Sequence, residues 1–247
     1  MSATIGILGG TGLQELTGFK LLSEDSVQNK YGKPSAPLAT LTIDGIKTIF
    51  LSRHGTPHKI PPHKVNYRAN IYAFKNAGVE NIISINAVGG ITKKAAPGRI
   101  ILPDQIIDYT WSRKHTFFED DLDSVVHVDF TSPYSDTLRD KVITVSDLTG
   151  INLIKHGTYA ATQGPRLETA AEILRLEHDG CDIVGMTGMP EASLARELKI
   201  NYVSICLVVN WAAGKSDELI TMDSIQRHID TGMNKILEVL KELVKII

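Results

Sequence analysis

The chain has 247 residues, 43% hydrophobic and 22% charged, with a formal net charge of -2. That balance suits a globular protein with a large buried core, and the length allows one large α/β domain or two small ones. With no repeat, low-complexity tract or linker to divide the chain, one domain over 1–247 is expected. It excludes bulk electrostatic affinity for nucleic acid, and no apolar stretch approaches the ~20 residues of a membrane span.

Met1-Ser2-Ala3-Thr4 runs straight into an apolar segment without a charged n-region. No secretion signal is therefore expected. Cys181 and Cys206 form no metal-ligand pattern, and Cys206 falls inside an apolar run. Buried thiols and a reducing, cytoplasmic setting are the expectation.

Strand-like segments recur along the chain, beginning with 4–8, 37–43 and 47–51. Residues 33–43, Asp44-Gly45 and 47–51 read as a hairpin, because Asp-Gly favours a tight turn with positive φ. A helix is predicted over 66–77, stopped by Gly78. Strands follow at 81–85 and 99–102. Residues 109–134 show no clear periodicity, as expected of a functional loop or an interface.

A strand is predicted over 152–161, then a helix over 169–178 with Thr169 and Glu172 as a capping box. Next come a strand at 182–186, a helix at 190–197 with Pro190 in its first turn, and a strand at 202–209. Ile225, Ile229, Ile236, Leu240 and Leu243 at helical spacing predict a last helix from about Asp223. Continuous Ile- and Val-rich runs imply strands covered on both faces. The fold class is α/β, a three-layer arrangement of a central mixed sheet flanked by helices.

Five apolar runs end in small polar clusters. These are Gly9-Gly10-Thr11-Gly12, Ser52-Arg53-His54-Gly55, Asn86-Ala87-Val88-Gly89-Gly90, Gly185-Met186-Thr187-Gly188 and Asn210-Trp211. None contains a carboxylate. Ligands of open α/β sheets bind outside the carboxyl ends of strands. If these ends meet, the site is rich in donors and suits an anion.

Taken singly, each cluster has a structural reading too. The glycines after the first strand can cradle phosphate or simply turn the chain; they lack the spacing of a dinucleotide fingerprint or a P-loop. Arg53 can grip an oxyanion bidentately or sit on a solvated loop. Asn86 and Thr187 can bind ligand or cap strand ends, and Glu168 can favour a helix N-terminus. Nucleophilic triads, HExxH and CxxC are absent, so neither covalent nor metal chemistry is indicated.

The clusters together resemble the purine nucleoside and methylthioadenosine phosphorylase family. The ordered matches include Lys64-Val65-Asn66-Tyr67-Arg68-Ala69-Asn70, Gln163-Gly164-Pro165-Arg166 and Met186-Thr187-Gly188-Met189-Pro190-Glu191 besides the strand-end clusters. The resemblance implies reversible phosphorolysis of a purine nucleoside, with phosphate as co-substrate and neither cofactor nor metal. It implies phosphate near Thr11, Arg53, His54, Asn86, Ala87 and Thr187, and ribose against Met186 with Leu167 in the substrate site.

At the base, the resemblance implies Asn210 and Glu168 as the catalytic pair. Methylthioadenosine phosphorylases of the family carry Asp at the position of Asn210 and again two residues later, where this chain has Ala212. Asn with Glu168 suits a 6-oxopurine, which offers N1–H and O6. Met222 and Ile225 would line an apolar 5′ pocket, and His127 would reach the pocket of a neighbour in a homotrimer. The expected substrate is 5′-methylthioinosine, with a general 6-oxopurine nucleoside or methylthioadenosine as alternatives. No role is assigned to His63 or Lys215.

Overall fold

The computed structural model describes residues 4–10, 19–120, 122–217 and 219–247. Its apolar runs pair into one mixed sheet. Strand β1 (Thr4–Gly9) lies between β4 (Ile46–Ser52) and β5 (Val79–Gly90), parallel to both. β3 (Leu38–Ile43) joins β4 through the expected hairpin, with φ of 48° at Asp44 and 83° at Gly45. β2 (Phe19–Asp25) adds an exposed antiparallel edge.

On the other side, β5 pairs in parallel with β11 (Asn201–Trp211) over most of its length. β11 in turn pairs with β6 (Ile100–Ile101), which pairs with β8 (Leu153–Ile154). The last residues of β5 turn to pair with β10 (Ile183–Gly185), and beyond it lie β9 (Thr158–Ala161) and β7 (Gln105–Asp108). β5 thus serves two branches of the sheet, and its end is where they part.

Helices cover both faces, so the central strands are apolar on both sides. One face packs Leu8, Ile82, Cys206 and Val208 under α1 (Tyr67–Asn76) and α4 (Gly188–Glu197). The other packs Ile7, Ile83, Ile205 and Leu207 under α2 (Asp136–Thr149) and α5 (Met222–Ile246). The helix α3 (Ala170–His178) carries the predicted capping box and covers a smaller cluster around Ile91 and Val184. The three-layer expectation holds.

Several details differ from the sequence reading. The strand expected over 152–161 is two, β8 and β9, serving different neighbours. β5 runs five residues past the expected end because Asn86–Gly90 stays extended to reach β10 and β11. In α4, Met189 and Pro190 have non-helical angles, so regular helix begins after the proline. β2, β7 and α2 were not expected.

Candidate active site

A cavity of about 590 Å³ opens where the ends of β4, β5, β10 and β11 converge. Its wall includes Arg53, His54, Asn86, Ala87, Met186, Thr187, Leu167, Glu168, Asn210 and Ile225. Sequence-distant clusters are therefore brought together, as the strand-end argument required. Thr11 falls outside the described residues; Gly10 beside it is in the wall.

The floor of the cavity is more constrained than a set of free donors. Arg53 is only 3% exposed, and its Nε donates to Glu191 Oε1 at 2.5 Å while Nη2 donates to Oε2 at 3.1 Å. Nη2 also donates to Ser84 Oγ at 2.6 Å, and Nη1 to the Ile85 carbonyl at 3.2 Å. A guanidinium has five N–H donors. Its bidentate fork is taken by a carboxylate, which corrects the bidentate anion grip expected of Arg53. One Nη1 proton is left for a ligand. Burial opposes the charge, but the attraction and hydrogen bond of Glu191 outweigh it and raise the Arg53 pKa.

Asn86 is likewise engaged. Its Nδ2 donates to Ser204 Oγ at 2.5 Å and Ser84 Oγ at 3.1 Å, and its Oδ1 accepts from Thr187 Oγ1 at 2.9 Å. Its amide therefore holds Thr187 rather than pointing freely outward. Cys206 lies behind, fully buried, its thiol pushed up to about 12 by burial and so inert.

His54 stacks on His58 at 4.4 Å, with Nδ1 2.8 Å from the Ile60 carbonyl. A carbonyl only accepts, so Nδ1 carries the proton and Nε2 is left with a lone pair. Burial, then the charge of Arg53, lower its pKa to about 4. The ring is neutral at pH 7 and can accept a proton-bearing oxygen of an anion such as hydrogen phosphate.

At the other end, the register of β11 against β5 slips between Val208 and Asn210. Such a bulge re-aims a side chain. Asn210 Nδ2 donates to the Trp211 carbonyl at 2.7 Å, which leaves its Oδ1 and its second N–H for a ligand. Ala212, buried at the wall, adds no charge. Glu168 comes just before the α3 cap Thr169, and its Oε1 accepts from Thr162 Oγ1 at 2.6 Å. Oε2 remains as an acceptor.

The apolar compartment is built by Ile220, just before α5, and by Ile225 and Ile229 within it. Met222 does not join them and is 74% exposed. It is the first residue of α5, and helical side chains tilt toward the N-terminus. Its side chain therefore projects past the rim, which corrects its expected place. His127 is exposed, and it is not in the cavity wall of its own chain. Lys215 pairs with Glu177 at 2.7 Å on the back of α3, and His63 Nδ1 is buried without a hydrogen-bond partner among the described residues.

Two residues of this site escaped the sequence reading. Glu191 was seen only as part of a motif. Arg113, in the aperiodic 109–134 stretch, is 7% exposed and donates to the carbonyls of Thr162, Gln163, Met186 and Met189. It ties the segments after β9 and β10 together. A lone Arg in an irregular stretch gives no local signal of this. Among the described residues, no group of three or more His, Cys, Asp or Glu is placed to hold a metal ion, and no helix is long and apolar enough to cross a membrane.

Fold and cavity define an α/β protein whose strand ends frame a cavity with a polar, donor-rich end and an apolar compartment. The chain belongs to the Phosphorylase superfamily, which matches residues 4–245. A protein of Pseudomonas syringae pv. tomato named probable S-methyl-5′-thioinosine phosphorylase is 51% identical over 93% of this chain and 94% of its own. A Xanthomonas campestris pv. campestris protein of the same name is 46% identical over 99% of this chain and 98% of its own. Among solved structures, methylthioadenosine phosphorylase from Schistosoma mansoni in complex with adenine superposes with a TM-score of 0.93. It is 31% identical, covering 99% of this chain and 91% of that one.

Proposed function

We propose that this protein catalyses phosphorolysis of S-methyl-5′-thioinosine, giving hypoxanthine and 5-methylthioribose 1-phosphate. A phosphate oxygen attacks C1′, the C1′–N9 bond breaks, and its electron pair passes to the purine. The observation that carries the reading is the base end of the cavity, where a neutral amide and a carboxylate stand without the Asp pair expected for adenine. Glu168 Oε2 accepts N1–H and Asn210 donates to O6; the leaving purine takes a proton at N7 from solvent water, and Asn210 Oδ1 accepts the resulting N7–H, so the base leaves neutral. Adenine has no N1–H and offers an amino group where O6 would be.

The phosphate end follows from the floor. Thr187, the Ala87 backbone and the remaining Nη1 proton of Arg53 surround the anion, while Nε2 of neutral His54 accepts a hydrogen bond from its P–OH group. Phosphate is a co-substrate, and the chemistry needs no further cofactor or metal. Ile220, Ile225 and Ile229 favour a 5′-methylthio group over a hydroxyl; burying a methylthio group contributes roughly 1–2 kcal/mol on area grounds. The names of the two bacterial relatives support the same substrate.

The test is phosphate-dependent release of free base, followed with three nucleosides. Methylthioinosine should turn over much faster than methylthioadenosine or inosine. Faster methylthioadenosine turnover would sink the base assignment, and preference for inosine would leave a general 6-oxopurine phosphorylase.

The reading includes a homotrimer working in the cytoplasm. Leu122, Val125, Val126 and Val128 are 42%, 75%, 43% and 40% exposed around His127. Such clustered apolar exposure favours burial against another copy, and would bring His127 to a neighbour's 5′ compartment. Mass by light scattering should give a trimer or a multiple of one; a monomer at micromolar concentration would refute it.

A further inference from the structure

Among the described residues, Glu191 is the carboxylate in the buried layer beneath the proposed anion end, and the proposed chemistry does not use it directly. It is 0% exposed, the first residue of regular helix in α4 after Pro190. A buried carboxylate is costly unless paired and fully hydrogen-bonded. This one is: besides both bonds from Arg53, it accepts from Ser84 Oγ at 3.2 Å and from the Tyr202 hydroxyl at 2.9 Å. The bonds reach it from β5, β11 and the residue after β4, so they fix it from three directions.

We propose that Glu191 is a positioning residue for phosphate: it clamps Arg53 so that one Nη1 proton faces the cavity, and anchors the Ser84–Asn86–Thr187 chain beside it. The proposal rests on the phosphate site of the functional reading. The geometry supports it in two ways. The fork of Glu191 takes Nε and Nη2, which fixes the guanidinium plane and leaves the freedom at Nη1. Ser84 Oγ, bonded to both Glu191 and Arg53, is also bonded to the Asn86 amide, whose oxygen holds Thr187. Glu191 also sets the charge beneath the anion. With it, Arg53 is part of a neutral pair, so selectivity for phosphate comes from aimed donors rather than from bulk positive potential. A purely scaffolding role requires none of this, since apolar pairs of similar volume fill such positions equally well.

Glu191→Gln keeps the shape but puts an NH₂ where Arg53 needs an acceptor. Phosphate affinity should fall about tenfold or more, the size of a lost charge-assisted hydrogen bond, whereas nucleoside KM should stay within about twofold and kcat at saturating phosphate within about threefold. Tyr202→Phe removes one bond to Glu191 and leaves the ion pair, so it is the milder probe if the first variant does not fold. It should weaken phosphate binding by about threefold, the low end for one hydrogen bond.

Calorimetric titration of inorganic phosphate into each protein reads affinity without turnover. Weaker phosphate binding with an unmoved nucleoside KM supports the proposal. Unchanged phosphate affinity in the variants that fold overturns it, as does an equal loss across phosphate KM, nucleoside KM and kcat. If the wild type binds phosphate but releases no base, the functional reading fails while the calorimetric comparison still decides the role of Glu191. If the wild type binds no phosphate, both fail.

Discussion

Asn210→Asp should lower kcat/KM for methylthioinosine by about a hundredfold or more, the cost of setting a partly buried charged acceptor against another acceptor. The mechanism is local. The amide donates one N–H to the Trp211 carbonyl and has a second free, which the proposed function gives to O6. Aspartate has neither. Its charge faces the Trp211 carbonyl on one side and O6 on the other. With methylthioadenosine the sign reverses, because the 6-amino group donates to the new carboxylate. The ratio of kcat/KM for the two nucleosides should therefore move toward methylthioadenosine by more than either value alone. Thermal melting of the variant separates this from a folding defect, since Asn210 is only partly buried. An unchanged ratio would show that the base is not read at position 210.

Much of this arrangement was legible because strands covered on both faces must be apolar throughout. The runs around Ile7, Ile83 and Ile205 announced the central strands for that reason, and the clusters after them announced the cavity. The exposed edge β2 gave no such signal, since Leu21 and Leu22 are themselves more than half exposed. α2 had one: Ser135 as N-cap, Leu138, Val142 and Val145 on its buried face, and Gly150 at φ 70° after it. It follows directly on the aperiodic 109–134 stretch, and the signal is short.

The site divides in the same way. Residue types at strand ends told which groups would gather, but not which way their hydrogen bonds would run. Arg53 and Glu191 are 138 residues apart. No periodicity links them, and only the packing of α4 against α1, β11 and β9 brings the carboxylate under the guanidinium. The proposed anion site, carboxylate-free at its strand ends, thus has a carboxylate beneath it. Met222 shows the opposite limit: its helical spacing to Ile225 is right, but at the first position of α5 its side chain tilts past the rim instead of into the cavity.

The Gly89-Gly90 pair ties these two levels together. As sequence it belongs to the strand-end cluster with Asn86 and Ala87, and either glycine could be read as room for a ligand. Gly90 has a different reason. A Cβ there would lie 1.8 Å from the Ala95 carbonyl oxygen and 3.1 Å from Val208 Cγ1. Neither neighbour can yield cheaply. Ala95 is fully buried in a turn closed by its own N–H bond to Thr92, and Ile91 and Thr92 are bonded to the Asp182 carbonyl. Gly90 itself pairs with Ile183 on one side and Trp211 on the other, and its carbonyl accepts from Ala212 at 2.8 Å. Gly90→Ala must therefore displace the Thr92–Ala95 turn and the β11 strand from the end of β5. That places it among overpacking substitutions at the severe end, about 4 kcal/mol or more, or a melting temperature lower by about 10 °C or more for a chain of this size. Gly10→Ala is the control, because its Cβ would meet nothing within 4 Å, and it should shift melting by no more than about 2 °C. Equal shifts in the two variants would mean that the end of β5 is not packed as described. A large shift at Gly90 alone would show that the strand end carrying Asn86 and Ala87 is held in place by contacts on its far side.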